Sequence, residues 1–294
     1  MFLEVQLIQS TVLFPKKMSV SYLLGDEYEY GVINNETFHY RKRFEDFFVI
    51  YRPNAVGRGV YVTMHEDEKA KIKIGLNPLC TDEDIRDFFK LIERITSYWK
   101  CMVSFKKQTI TLKNFVKQEE TFRNINLKAI HNSMQNILNQ QQGSLILRCV
   151  KRTLSIGKNE AEKFWAGTNT DAFRDWLNDR QNVEANDAYP TFFDSNSQPT
   201  LKVGVYTLEK GKRTIFPNVP RIPMDFYDFK NKKFTFSVEI WSLSAKDTDI
   251  SLPYQEFVDN LPDAKKAYFD GNSFLCEPLS IEEMRLFFPS LKKS

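Results

Sequence analysis

His39, His65 and His131 lie far apart along the chain, as do Cys80, Cys101, Cys149 and Cys276. No two of them form the close pair from which a zinc site or a redox dithiol is built. Neither a phosphate-cradling glycine loop nor a nucleophile elbow occurs. The sequence therefore announces no metal site and no cofactor, and an enzymatic reading needs a site assembled only in three dimensions.

Several denser constellations each admit a simpler reading. His65-Glu66-Asp67-Glu68 gathers acid beside imidazole, but successive side chains of an extended segment point apart, and Lys69 stands where a helical two-histidine motif needs its second ligand. A solvated hairpin turn accounts for it. Arg41, Lys42 and Arg43 beside Phe44, Phe47, Phe48 and Tyr51 could neutralise phosphates and stack bases, although Glu45 and Asp46 interrupt the patch. A second basic spot, Lys230, Lys232 and Lys233, reads as a turn before a strand. Asp225, Asp228 and Glu239 loosely suggest a nuclease-type metal centre, yet Glu239 falls on the polar face of its strand. Cys101 follows a helix end, whose electronegative terminus raises a thiol pKa, and Cys149 sits among Leu145, Leu147 and Val150 as a packing residue.

The remaining candidates are aromatic. Trp165, Trp176, Tyr189, Phe192 and Phe193, with the Pro217–Pro223 segment, gather large side chains in irregular regions. Such residues either seal the junction of helical and β portions or form a binding hot spot. They are the expected partner surface.

Elements must position these groups. Met18–Leu24 reads as a strand. Gly59–Met64 and Ala70–Leu76 read as two strands around the polar His65–Lys69 turn, with Val60, Val62 and Met64 sharing one face and Ile72, Ile74 and Leu76 sharing one on the partner. Thr81 then caps a helix whose first turn holds Asp82, Glu83 and Asp84, and whose apolar stripe runs through Ile85, Phe88, Phe89, Ile92, Ile95, Tyr98 and Trp99. Val103 and Phe105 oppose Ile110 and Leu112 in a second hairpin. Leu127–Leu138 is helical and stops at Gly143. Leu145–Ile156 is strand-rich, and helical pieces follow at Glu160–Trp165 and Asp171–Leu177. Leu201–Leu208 and Arg213–Phe216 read as a hairpin around Glu209-Lys210-Gly211-Lys212. Phe234, Phe236, Val238 and Ile240 alternate as a half-buried strand. Ser280-Ile281-Glu282-Glu283 is a capping box, with Leu279 stapled onto Met284.

These patterns predict an α+β fold, with antiparallel sheets and a few amphipathic helices packed on one face. It forms one composite domain or two closely packed halves, divided near Gln118–Asn126 into 1–120 and 121–294.

Bulk composition agrees with a folded protein. The chain has 294 residues, 42% hydrophobic and 27% charged, with 25 Phe, 12 Tyr and only 11 Gly. Its net charge of +3 gives no global preference for nucleic acid. No apolar run is long enough to span a bilayer, and Met1–Lys17 lacks the layout of a signal peptide, so a cytoplasmic protein with reduced thiols is expected.

The order of landmarks resembles the bacterial domain-of-unknown-function family numbered four-two-nine-nine. The matching residues are Arg58-Gly59 before the Val60–Met64 strand, Thr81-Asp82-Glu83-Asp84, Ile110–Phe115, Gly204-Val205-Tyr206, Ile215-Phe216-Pro217 and Leu279–Glu283. The likeness spans most of Met18–Leu291. It implies an intracellular bacterial protein of about this length and carries over no catalytic residue. Met1–Lys17 falls outside it, which leaves two readings: translation from Met18, or an additional strand. The expected function is a non-enzymatic protein-binding module, immunity- or antitoxin-like in one version, with another protein as partner. The alternative is an enzyme acting on nucleotides or nucleic acid.

Overall fold

A computed structural model describes residues 3–9, 16–34, 37–41, 47–64, 71–167, 169–195, 198, 200–223, 232–241 and 250–288. The chain divides into two compact units, Met1–Asn182 and Val183–Ser294. The described residues are arranged as an α+β fold of mostly antiparallel sheets.

The first unit contains β1 (Leu3–Ile8), α1 (Val20–Leu24), β2 (Glu29–Asn34), β3 (Thr37–Tyr40), β4 (Phe47–Tyr51), β5 (Val60–Thr63), β6 (Lys71–Leu76), α2 (Asp82–Trp99), β7 (Met102–Phe105), β8 (Gln108–Ile110), α3 (Leu112–Val116), α4 (Glu119–Leu138), β9 (Leu145–Arg148), β10 (Thr153–Ile156), α5 (Lys158–Phe164) and α6 (Asp171–Gln181). β1 to β8 form one antiparallel sheet in the order β3-β2-β4-β5-β6-β1-β7-β8. The predicted β5–β6 hairpin is present, with Val60 opposite Leu76 and Val62 opposite Ile74.

Strand alternation divides this sheet into two faces. Val5, Leu7, Phe48, Ile50, Val60, Val62, Ile72, Ile74, Leu76, Val103 and Phe105 point inward, onto α2 residues Ile85, Phe88, Leu91, Ile92 and Ile95. Burial of each large α2 side chain contributes about 2 kcal/mol, so the stripe outweighs the helix's intrinsic propensity. Phe89, Phe105, Phe115 and Phe122 form a ring cluster, with Phe89 and Phe115 centroids 5.1 Å apart. Phe122 belongs to α4, which therefore packs with the first unit. The sequence-based division after residue 120 instead cuts through the first turn of α4, and the observed break comes after α6.

Other elements also depart from expectation. Met18–Leu24 contains helix α1 rather than a strand, because the Ser19 side chain accepts the Tyr22 N–H at 3.2 Å and Gly25 ends the turn at φ 54°. Leu112 starts α3 instead of extending β8, because Thr111 caps that helix. Met1–Lys17 is no appendage. Its strand β1 lies between β6 and β7, with six residue pairs to β6 from Leu3–Leu76 to Ile8–Lys71.

The second unit contains β11 (Asn186–Asp187), β12 (Thr191–Asp194), β13 (Leu201–Glu209), β14 (Thr214–Pro217), β15 (Lys233–Trp241), β16 (Ile250–Pro253), α7 (Tyr254–Asn260), β17 (Lys266–Asp270), β18 (Ser273–Cys276) and α8 (Ile281–Phe287). Two sheets, β12-β13-β15-β16 and β11-β14-β18-β17, enclose an aromatic core of Tyr206, Phe216, Tyr254, Phe257 and Phe274. The expected β13–β14 hairpin does not form. β13 runs parallel to β15 from Leu201–Lys233 to Glu209–Trp241, while β14 joins the other sheet through β11 and β18. The Ser280 capping box forms as predicted, and Leu279 and Met284 are both buried.

Starting the chain at Met18 removes a strand with a partner on either side and deletes Val5 and Leu7 from the core. Such a protein is expected to lose its cooperative thermal transition and its near-ultraviolet circular dichroism. A sharp transition within a few degrees of the full chain would show β1 to be dispensable.

Candidate functional site

The loop between β4 and β5 is held by buried polar groups. Asp84, in the first turn of α2, accepts the backbone N–H of Thr81 at 2.8 Å, Arg58 at 3.0 Å and Gly59 at 2.9 Å. A Cβ at Gly57 would run into that carboxylate, so only glycine lets the loop approach so closely. Arg58 donates to the Arg148 carbonyl at 3.0 Å and to that of Pro78. From α6, Gln181 donates to the Val56 and Gly57 carbonyls at 3.1 and 2.9 Å, and Asn178 accepts the Val56 N–H at 3.1 Å. Burial pushes the Asp84 carboxyl above the ordinary carboxylate range, and the three N–H donors pull against that shift. The geometry is a clamp: every acceptor lobe aimed at the loop is already occupied by backbone.

A second cluster lies along α2. The Tyr28 hydroxyl donates to Asp87 at 2.9 Å, and Arg52 reaches the same carboxylate oxygen at 2.5 Å. The Arg52 and Arg94 guanidinium groups lie 5.3 and 5.6 Å from the Tyr28 ring centre. Glu27 pairs with Arg94 at 2.8 Å and lies 3.8 Å from Lys90. Burial, reinforced by Asp87, holds the Tyr28 phenol well above its usual range. Its proton is retained and already donated, so the group ties α2 to its neighbours and is poorly suited to proton transfer at neutral pH.

The thiols are equally unsuited to nucleophilic work. Burial pushes Cys80 and Cys101 up, and pushes Cys276 up to about 12. Cys149 is buried. Among the described residues, no three His, Cys, Asp or Glu side chains are placed to hold a metal ion.

The sequence-predicted aromatics are divided between the two units. Trp165 follows α5 and is 48% exposed, but Trp176 is in the core between Phe164 and Phe173, with ring centres at 5.6 and 6.3 Å. Trp176 is a correction: spaced along α6 with Phe173 and Leu177, it faces inward and cannot contribute to a surface. Tyr189, Phe192 and Phe193 belong to the second unit. Phe192 packs edge-on against Phe234 at 5.9 Å, while Phe193, its neighbour on β12, is exposed. Arg41 is exposed and lies 4.9 Å from the Tyr40 ring centre. Lys42 and Arg43 lie outside the described residues, as do the His65–Glu68 cluster, Asp225 and Asp228. Glu239 sits in β15 opposite Thr207 and Ser251.

What sequence reading missed is the outer face of the first unit's sheet. Over β2 to β5 it is covered: Val49, Tyr51, Val56 and Val150 are buried there, with Ile33, Phe38, Phe47 and Tyr61 packed on them. Over β6, β1, β7 and β8 no such buried cluster covers that face among the described residues. Lys71, Ile8 and Met102 make one cross-strand row, and Lys73, Gln6, Ser104 and Thr109 the next. Ile8 is 48% exposed and Met102 44%.

This end of the sheet is also basic. From Arg94 to Gln118 the chain has six basic residues and no Asp or Glu. Lys100, Lys106, Lys107, Lys113 and Lys117 are exposed and make no ion pair with any described residue. Three of them have left-handed backbone: Lys100 after α2 at φ 57°, and Lys106 and Lys107 between β7 and β8 at φ 48° and 63°. A two-residue turn with two positive φ values is the hairpin type that favours Asn-Gly. Lysine there costs on the order of 1 kcal/mol per residue relative to glycine. Counting charges along the chain would have found the run, whereas the backbone conformation leaves no mark in it.

Fold and site together define a two-unit α+β protein with a clamped core loop and a half-covered sheet. The chain belongs to the family described as Domain of unknown function (DUF4299), whose model matches residues 6–286. No curated protein and no solved structure matches the chain. No helix among the described residues is long and apolar enough to cross a membrane.

Replacing Asp84 with Asn turns one acceptor oxygen into a donor that faces backbone N–H groups. The expected loss is about 3 kcal/mol, read as a lower midpoint in urea with an unchanged slope. A loss below about 1 kcal/mol would show that the clamp is not needed.

Proposed function

We propose that this chain is a protein-binding module and that its first unit binds through the open half of the sheet's outer face. The unequal treatment of one face supports this reading. Over β2 to β5 the chain provides its own cover; over β6 to β8 it leaves Ile8 and Met102 as directly paired, exposed apolar neighbours. A sheet face with paired apolar side chains among polar ones has the composition of an interface, whereas single exposed aromatics such as Trp165 and Phe193 are ordinary surface. Immunity- or antitoxin-like masking of another protein is one form this binding takes.

The paired substitution Ile8→Ser with Met102→Ser tests the surface. It is expected to leave the melting temperature within about 2 °C and to abolish capture of the partner from host lysate, read by quantitative mass spectrometry. Capture at wild-type level would remove this face from consideration, and a paired Trp165→Ser and Phe193→Ser variant that loses capture instead would place the interface elsewhere.

A further inference from the structure

We propose that Arg52, Lys90 and Arg94 form a phosphoryl-binding site, occupied in this structure by the protein's own Glu27 carboxylate. Its ligand is a phosphate dianion, either the free ion or a phosphomonoester. The site lies on α2 and the turn before β2. Ile8 and Met102 take no part in it, so it does not rest on the protein-binding reading.

The spacing along α2 sets the cradle. Asp87, Lys90 and Arg94 follow one another at three- and four-residue steps, which places them on one helix face. Arg52, just after β4, and Glu27, in the turn after α1, meet that face from other elements. Both guanidinium groups are oriented without help from Glu27. Arg52 is held by Asp87 at 2.5 Å and Arg94 by the Leu23 carbonyl at 2.5 Å, and both lie near the Tyr28 ring. Such preorganisation lowers the ordering cost of a ligand. The three cations are also reachable from solvent, Lys90 most of all.

Glu27 fits this cradle poorly. Its Oε1 accepts from Arg94 at 2.8 Å, but its Oε2 lies 3.6 Å from Arg52 and 3.8 Å from Lys90, beyond hydrogen-bond distance. Arg52 donates through Nε and Nη2 alone, and the Lys90 ammonium donates to no described residue. A planar carboxylate brings two oxygens, and here only one of them is bonded. A phosphoryl group brings three acceptor oxygens in a tetrahedral spread, one for each cation.

Charge gives the same answer. The three cations face two carboxylates, Asp87 and Glu27, and pair with no other described acid. One positive charge is left over. When a phosphate dianion displaces Glu27, the ligand and Asp87 together balance all three. A ligand carboxylate only exchanges one monoanion for another, which is why a phosphoryl group is favoured over an acidic side chain. The Arg123 cluster has the opposite balance, with one arginine shared by Asp82 and Glu119.

The test is a phosphorus NMR titration of the full chain with inorganic phosphate and with O-phosphoserine, at constant ionic strength and about pH 8, above the phosphomonoester's second pKa of about 6. Acetate serves as the carboxylate probe. The variants are Glu27→Gln, Lys90→Gln, the two combined, and Glu119→Gln, which makes the same charge change beside Arg123. All four positions are partly exposed, so melting temperatures should stay within about 4 °C of wild type. Glu27→Gln is expected to bind the phosphoryl probes at least about tenfold more tightly than wild type, and Lys90→Gln to cancel that gain. Acetate should not compete. The tighter probe then identifies the source as free ion or monoester. Equal affinity in wild type and Glu27→Gln, a gain that survives Lys90→Gln, an equal gain in Glu119→Gln, or displacement by acetate would each overturn the proposal.

Discussion

The first unit is organised by one buried carboxylate. Asp84 stands where the capped start of α2 meets the turn that launches β5, and its two oxygens accept three backbone amides from segments about 25 residues apart. An anion in that position is expensive to desolvate and is tolerated because donors converge on it. Gly57 makes the close approach sterically feasible. Once the loop is fixed there, Val56 faces β4, and α6 is drawn in through Asn178 and Gln181. The covered half of the sheet's outer face follows from this clamp, and the open half begins where its reach ends.

The Tyr28 cluster plays a parallel part on the other side of α2. Its two arginines and one lysine share two carboxylates around a phenol that keeps its proton. Those charges contrast with the lysines after α2, in the β7–β8 turn, and in and after α3. Arg52, Arg94, Arg123 and Arg174 are all paired with acids. The lysines between residues 100 and 117 are not. These four arginines act as ties, and the lysines contribute a surface field.

Much of this was legible in the residues wherever a local rule decided the outcome. The β5–β6 hairpin followed from period-two alternation, α2 and α8 from capping residues and an apolar stripe, and the α+β class from their order. Long-range competition decided what was missed. Glu209-Lys210-Gly211-Lys212 has good turn chemistry, but nine pairs with β15 outweigh the hairpin that turn would close. β1 looked like an optional extension because nothing local reveals two distant partners. Asp84 was legible as a first-turn acid, but not as the acceptor for a loop 26 residues before it. Trp176 reads as a surface aromatic by type, but its helical spacing from Phe173 and Leu177 puts it on the buried face of α6. The lysine turn was hidden for the opposite reason: its backbone contradicts the residues that form it.

The most direct test is amide hydrogen exchange of the full chain with and without the protein partner captured from host lysate. Slowed exchange confined to Leu3–Ile8, Lys71–Leu76 and Met102–Ile110 is the predicted footprint. Protection centred on Arg41, or on Lys210–Lys212 in the second unit, with β7 and β8 unaffected, would contradict the assignment of the binding surface.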